Sequence, residues 1–295
     1  KWGATLLQEN GVKLDEPNFD ALRASLLQQL SALADLEKPE NIFDCILLDE
    51  AQDYSPAEIN VISRFTPRLF AVGDSKQRIL AEQDGALDEF QDQGVTVSAL
   101  SAHYRNGMYV CRVADGIQNQ IDHSDGLEAT SNYDEENFPS TVSVSAGLNI
   151  EQQVAQAVEL IKDQLDAYPD ELIGVLCPRK NELGLISEQI MNSSISDLVQ
   201  VQKDDDYAAI QQDRRVIVAS IHGAKGLEFR AAHLLGMNFV KNFRQFQKKM
   251  SYTAVTRCKT SLSVYHDGPL PGYFEKGVQA CSAPPAEPSL DDLFG

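Results

Sequence analysis

The chain has 295 residues, enough for two α/β domains of ordinary size, and its 43% of hydrophobic residues excludes wholesale disorder. No apolar run approaches the roughly 18 residues that a membrane-spanning helix requires. Twenty-five basic and 44 acidic residues give a net charge of −19, whereas nucleic-acid-binding proteins usually carry a basic face.

The first part of the chain combines a helical region with two short apolar runs. Leucines at helix spacing predict a helix that ends near Pro39. The runs Phe43–Asp49 and Leu69–Gly73 are typical of strands that are buried on both faces. Ser55 and Pro56, which lie between the two runs, form a favourable helix start. The leucines of the predicted helix are Leu22, Leu26, Leu27, Leu30 and Leu33.

A polar and acidic segment, Asp115–Ser140, separates this part from a second alternation of strands and helices. No Lys or Arg occurs between Arg112 and Lys162, so a basic groove elsewhere is compatible with the net charge. The alternation predicts an α/β fold with mostly parallel sheets, and Cys281–Gly295 predicts a flexible tail. The predicted helices are Ile150–Leu165 and Glu182–Met191, and the predicted strands are Thr141–Ser145, Ile173–Leu176, Val216–Ser220, Ala232–Leu235 and Leu262–Tyr265.

The cysteines argue against a metal centre built from thiolates. They are five in number and widely spaced, and no Cys-x-x-Cys pair occurs, so a zinc or iron–sulfur site is disfavoured. Scattered unpaired cysteines suit a reducing cytosol, so we expect a cytoplasmic protein. The cysteines are Cys45, Cys111, Cys177, Cys258 and Cys281.

Two adjacent acids, Asp49 and Glu50, end the first apolar run. The carboxyl end of a buried strand is where ligands bind in open α/β sheets. Two carboxylates buried there need a compensating charge, and Mg²⁺ prefers oxygen ligands. We therefore expect Asp49 to hold the metal, mostly through water, and Glu50 to orient or deprotonate an attacking water. The alternative is a pair of acids that simply begins a surface loop.

The string Asp49–Asp53 resembles motif II of the superfamily 1 DNA helicases of the UvrD/Rep kind. Four further strings resemble later motifs of that family, in the family's order. Motif IV differs from the usual Asn-Tyr-Arg, because His103 stands at the first of these positions. The four strings are Val72–Ile79 for motif III, Leu100–Asn106 for motif IV, Ser220–Phe229 for motif V and Tyr252–Lys259 for motif VI.

The resemblance implies two RecA-like domains, the first of them incomplete. It implies domain bounds of 1–100 for the first, 101–280 for the second and 281–295 for the tail. The cofactors implied are ATP and Mg²⁺, and the partner is single-stranded DNA. Asp49, Glu50, Gln77, Arg105 and Arg257 are the implied catalytic residues, Gln52, Asp74, Gly226 and Glu228 the further nucleotide contacts, and His222 a DNA contact.

A stretch between motifs V and VI interleaves aromatic and basic residues. Such a pattern can stack bases and follow phosphates on a single strand, so Lys241, Arg244 and Lys248 are candidate DNA contacts. The three aromatic residues also fall at helix spacing, which favours packing in a core. These residues are Phe239, Phe243 and Phe246.

The phosphate-binding loop that such a motor needs, Gly-x-x-x-x-Gly-Lys-Ser/Thr, occurs nowhere in the chain. Since Lys1 is not a methionine, we expect the parent protein to continue ahead of it and to carry this loop. The alternatives are a relative that no longer hydrolyses ATP and a partner chain that completes the site.

The sequence therefore predicts an ATP-dependent DNA helicase or translocase that moves on single-stranded DNA. The alternative is a non-hydrolysing accessory module of DNA repair or replication that keeps the fold. The tail also resembles short peptides that dock on the sliding clamp, with Leu290, Leu293 and Phe294 as apolar anchors. An ordinary disordered tail is the other interpretation of these residues.

Overall fold

A computed structural model describes residues 2–12, 19–37, 42–74, 90, 95–202, 209–240 and 245–282. The chain divides into two compact units, residues 1–98 (unit 1) and residues 99–295 (unit 2). Both contain parallel sheets with helices, so the predicted α/β class is confirmed. Among the described residues, no helix is long and apolar enough to cross a bilayer. Gln77, Lys241, Arg244, Leu290, Leu293 and Phe294 lie outside the described residues.

Unit 1 contains three described helices and a parallel pair of strands. The helices are α1 (Trp2–Glu9), α2 (Phe19–Glu37) and α3 (Pro56–Ser63), and the strands are β1 (Ile46–Leu48) and β2 (Leu69–Ala71). Ser55 begins α3 with a capping box, in which its side chain and that of Glu58 each accept a hydrogen bond from the other residue's backbone N–H. The predicted helix start at Ser55-Pro56 is therefore confirmed.

The predicted burial of β1 and β2 on both faces is wrong for the described residues. Leu48 is buried against Ile59 of α3, but Leu47 is 73% exposed and Phe70 is 60% exposed. Successive side chains of a strand point to opposite faces, so one face of this pair is packed and the other is open. The apolar runs predicted the strands correctly, but they cannot report which neighbours cover them.

Unit 2 is built on a six-stranded parallel sheet with strand order β3-β8-β7-β4-β6-β5. The two strands β4 and β6 are buried along their whole length, as expected for parallel strands between layers of helices. The strands are β3 (Thr141–Ala146), β4 (Ile173–Cys177), β5 (Val199–Gln202), β6 (Val216–Ser220), β7 (Phe229–Leu234) and β8 (Cys258–His266).

Five described helices accompany this sheet. The main core packs α5 and α6 against β4 and β6, through Val158, Ile161, Ile186 and Val218 among others. Strand β5 and helices α4 and α8 were not predicted from the sequence. The helices are α4 (Met108–Gln118), α5 (Ile150–Ala167), α6 (Lys180–Met191), α7 (Gln245–Thr256) and α8 (Gly272–Ser282).

Helices α4 and α8 cross at two glycines. A Cβ atom added to Gly116 would lie 2.2 Å from Cα of Gly277, and one added to Gly277 would lie 2.5 Å from the carbonyl oxygen of Val113. The helices therefore approach closely only because neither position carries a side chain. Since α8 runs to Ser282, the predicted tail begins slightly later than the sequence suggested at Cys281.

Candidate functional site

The acidic loop of unit 1 follows β1 directly. Asp49 is exposed, and its Oδ1 accepts a hydrogen bond of 2.9 Å from the backbone N–H of Glu50. Glu50 has φ 51° and ψ 44°, a left-handed conformation that is uncommon for any residue but glycine. A residue held in this region stores strain of about 1–2 kcal/mol, and such strain concentrates at ligand-binding sites.

Gln52 connects this loop with the loop that follows β2. Its side chain is buried, its Nε2 donates to the Glu50 carboxylate, and its Oε1 accepts a hydrogen bond of 2.9 Å from the backbone N–H of Asp74. The backbone supports the same connection, since Ala51 N–H donates to the Val72 carbonyl over 2.8 Å. Gln52 therefore holds the carboxylate of Glu50 at the carboxyl ends of both strands.

The residues of this loop suit Mg²⁺ by their chemistry. Asp49 and Asp74 follow neighbouring parallel strands and offer carboxylate oxygens, which hard cations prefer. Within the described ranges, no three His, Cys, Asp or Glu side chains form a group that could enclose a metal ion. A cation here would keep several waters, as Mg²⁺ usually does in sites that it shares with phosphates.

Unit 2 brings motif IV and motif VI together at the amino ends of β7 and β8. Nη2 of Arg105 lies 2.7 Å from Oε1 of Glu228, and Nζ of Lys259 lies 3.6 Å from Oε2 of the same carboxylate. Glu228 directly precedes β7, and Lys259 is the second residue of β8. Thus Arg105 and Glu228, which the sequence interpretation named as separate nucleotide contacts, form one ion-paired group in this structure.

Asn106 connects motif IV with motif VI through hydrogen bonds. It is buried, and its Nδ2 donates to the carbonyl oxygens of Thr256 at 3.0 Å and Cys258 at 2.6 Å. The backbone N–H of Gly107 adds a hydrogen bond of 2.7 Å to the carbonyl oxygen of Lys259. The two carbonyls that Asn106 binds lie on either side of Arg257, so this amide fixes the backbone from which Arg257 projects.

Arg257 is buried, with 4% of its surface exposed. Its Nη1 donates to the carbonyl oxygen of Leu227 over 3.4 Å, and its own carbonyl accepts from the backbone N–H of Phe229 over 2.9 Å. Arg257, one of the predicted catalytic residues, therefore lies beside the residues that flank Glu228.

The motif V loop, residues 221–228, runs from the carboxyl end of β6 to the amino end of β7. His222 follows the carboxyl end of β6, whereas Glu228 precedes the amino end of β7, and both strands run parallel to β4. Gly226 lies in the loop with φ 82°, a conformation that favours glycine. The structure therefore places His222, the predicted DNA contact, and Glu228, a predicted nucleotide contact, at opposite ends of the parallel strands of one sheet.

The basic stretch before motif VI has one described candidate, Lys248, which lies on α7. Burial and the neighbouring charge of Lys276 lower the pKa of its ammonium group from the ordinary value. The helix spacing of the three aromatic residues does not place Phe239 on α7. Phe239 ends a separate 3-10 turn, followed by Val240 in extended backbone, and the guanidinium of Arg179 lies 4.7 Å from the Phe239 ring centre.

Asn106 and Lys259 are the residues of the site that the sequence interpretation did not assign. Both lie inside the motif strings, Asn106 next to Arg105 and Lys259 two residues after Arg257, so position was the only signal available. The hydrogen bonds of Asn106 join positions about 150 residues apart in the chain. A periodicity or a short motif cannot express such a contact.

Residues 5–93 match the family model of the UvrD/REP helicase N-terminal domain. The match lies within unit 1 and includes Asp49, Glu50 and Gln77. It supports the resemblance to helicases for that unit, whereas the roles of individual motif residues stay predictions. Comparison with curated proteins gives no match.

Two solved structures are similar to larger parts of the chain at low identity. One is the C-terminal domain of a possible DNA helicase from Lactobacillus plantarum WCFS1, with 19% identity over 61% of this chain and 97% of that chain, and a TM-score of 0.42. The other is the PRRSV helicase, with 16% identity over 75% of this chain and 34% of that chain, and a TM-score of 0.39. Both TM-scores are below 0.5.

Proposed function

We propose that residues 1–295 contain the catalytic and DNA-tracking parts of an ATP-dependent helicase or translocase that moves on single-stranded DNA. In this proposal, two RecA-like domains occupy residues 1–100 and 101–280, and a tail occupies 281–295. The family match of residues 5–93 supports the first domain. The sliding clamp as a partner of Leu290, Leu293 and Phe294 stays a prediction from the sequence.

The observation that carries the proposal for unit 2 is the pair of hydrogen bonds from Asn106 to Thr256 and Cys258. They hold the segment of Arg105 beside the segment of Arg257. A γ-phosphate in transfer spreads negative charge over three oxygens, and planar guanidinium groups neutralise such charge with fixed geometry. Because their segments are hydrogen-bonded to each other, Arg105 and Arg257 would approach that phosphate together.

In unit 1 the proposal assigns the proton chemistry to Glu50. The carboxylate would accept a proton from the attacking water, and the hydrogen bond from Gln52 would keep it oriented. Asp49 would hold Mg²⁺, which neutralises charge on the phosphate oxygens when it is bound. Gln77 would sense the γ-phosphate by resemblance.

The motif V loop supplies a short route between nucleotide and DNA. Only five residues separate Glu228, at the nucleotide side, from His222, the proposed DNA contact. Lys248, together with Lys241 and Arg244, would add phosphate contacts along the strand, since basic residues supply most of the affinity for nucleic acid. A shift of this loop on nucleotide binding would therefore change the affinity for DNA.

The test is ATP turnover by the gene product that contains residues 1–295, measured with and without single-stranded DNA. We expect turnover only with DNA, and we expect Arg105→Ala and Arg257→Ala each to lower it by about 10³-fold or more. Arg214→Ala is the matched control, because Arg214 also lies in unit 2 and donates to the carbonyl oxygen of Asp197 outside the site. Turnover without DNA, or unchanged turnover in both variants, contradicts the proposal.

The second candidate function is the non-hydrolysing accessory module. The observation that favours it is the absence of the phosphate-binding loop from all 295 residues. The 295-residue chain by itself should show negligible turnover under either function. Binding of single-stranded DNA without turnover by the gene product would favour this second candidate.

A further inference from the structure

Two cations in unit 2 share a single carboxylate. Arg105 faces one oxygen of Glu228 at 2.7 Å, and Lys259 faces the other oxygen at 3.6 Å. The three side chains remain accessible to solvent, with exposed fractions of 41% for Arg105, 35% for Glu228 and 30% for Lys259. A carboxylate bound in this way presents a negative charge and two acceptor oxygens to the cations, as two oxygens of a phosphate do.

The backbone segments that carry Arg105 and Lys259 are hydrogen-bonded to each other. The Gly107 N–H binds the Lys259 carbonyl, and the buried Asn106 amide binds the carbonyls on both sides of Arg257. Because these bonds do not involve Glu228, the spacing of the two backbone segments does not depend on the carboxylate. The backbone positions of the two cations are therefore fixed before an anion binds, which lowers the cost of binding.

Glu228, by contrast, can leave the cations at low cost. Its neighbour Phe229 is fully buried and its N–H is bound to the Arg257 carbonyl, so the backbone at this point is anchored. The half-exposed carboxylate needs only side-chain rotation to move into solvent. Since exposed ion pairs contribute little to folding stability, loss of these contacts should leave unit 2 folded.

We propose that Arg105 and Lys259 form a binding site for polyphosphate, and that Glu228 occupies this site until the polyphosphate displaces it. The proposal rests on the proposed function, because the polyphosphate would be that of a nucleoside triphosphate. Lys259 then becomes a phosphate-binding residue. Glu228 becomes a competing internal anion that lowers nucleotide affinity in the free protein.

The experiment measures binding of tripolyphosphate to the 295-residue chain by titration calorimetry at fixed ionic strength. Tripolyphosphate lacks a ribose, so a contact between Glu228 and the sugar does not enter the result. We expect Glu228→Gln to bind about three- to tenfold more tightly than the wild type, because it removes a competing charge from two cations. The double variant Glu228→Gln, Lys259→Gln should lose this gain.

The matched control is Glu159→Gln. Glu159 forms an exposed ion pair with Lys162 at 2.7 Å, so this variant makes the same change in net charge and also breaks one ion pair. Its affinity for tripolyphosphate should equal that of the wild type. An equal gain in affinity in both variants would show that the effect comes from net charge alone, and it would overturn the proposed site.

Two further outcomes overturn the inference. One is a Glu228→Gln variant that binds tripolyphosphate no more tightly than the wild type. The other is a gain that appears with a single-stranded oligonucleotide and not with tripolyphosphate, which would assign the cations to the nucleic-acid backbone. The binding measurement needs no hydrolysis, so it can succeed or fail independently of the DNA-dependent turnover that tests the proposed function.

Discussion

The side-chain amide of Asn106 donates a hydrogen bond of 2.6 Å to the carbonyl oxygen of Cys258, across 152 positions of the chain. The same nitrogen also donates to the carbonyl of Thr256. The segment around Arg257 is therefore held by a residue of motif IV, and the two arginines of the proposed site share one support.

Asn106→Ala should remove this support. It leaves two buried carbonyl oxygens without that donor, which should lower the free energy of unfolding of unit 2 by about 2 kcal/mol. We also expect a lower kcat for DNA-stimulated ATP turnover with little change in KM, since Arg257 would act mainly in the transition state.

The control for this variant is Asn137→Ala, because Asn137 is exposed and bonds only to the nearby Asp134 in its side-chain contacts. Stability is measured by denaturant unfolding, and turnover by steady-state kinetics. A kcat that stays at the wild-type value in a folded Asn106→Ala protein would show that the amide does not position Arg257.

Gly116→Ala should destabilise the crossing of α4 and α8. The added Cβ atom would lie 2.2 Å from Cα of Gly277, so the helices must move apart, at a cost of about 1–3 kcal/mol. Gly184→Ala is the control, because a Cβ atom added to Gly184 in α6 would meet open space. The control should stabilise the helix by up to about 1 kcal/mol. Equal melting temperatures for the two variants would refute the close crossing.

His233 should make unit 2 sensitive to acid. It is fully buried in β7, with Nε2 bonded to Gln164 at 2.8 Å and Nδ1 bonded to Tyr265 at 3.1 Å. Burial lowers the pKa of His233 to about 3, from an ordinary value of 6.5. Between these two values the unfolded chain binds a proton that the folded chain does not bind.

Stability should therefore fall as the pH drops below 6.5, by up to about 1.4 kcal/mol per unit from this group, and should not respond to it above 6.5. The measurement is amide hydrogen exchange of β4 and β6 at pH values of about 7, 6 and 5, which reports on unit 2 alone. His233→Gln should flatten this pH dependence, even if the variant is less stable at every pH. An identical slope in the two proteins would mean that His233 titrates in the folded state.

The sequence predicted most of the sheet in unit 2, because β4 and β6 are continuous apolar runs, as fully buried parallel strands are. It missed β5, where glutamines alternate with valines, and α8, where Gly272 and Gly277 weaken the helix signal. Burial of Leu47 was predicted wrongly, since an apolar run does not reveal whether another layer covers it. Local pattern thus predicted many of the elements, whereas their packing partners became known only from the structure.

For the site, the motif strings indicated which residues belong to it but not how they contact one another. Nothing in the sequence indicates that Arg105 pairs with Glu228, or that Gln52 uses its amide on Glu50 and Asp74. These contacts depend on how loops from different strands meet in space. The sequence could name Asp49 and Glu50 because both follow a single strand directly.

In the proposed function, Glu50 is the base for ATP hydrolysis in a DNA-driven motor. The most direct measurement compares wild type and Glu50→Gln in the gene product that contains residues 1–295, for DNA-stimulated ATP turnover and for nucleotide affinity. We predict a loss of turnover of about 10²- to 10⁴-fold with nucleotide affinity retained. Turnover that remains at the wild-type rate in Glu50→Gln would show that Glu50 is not the base.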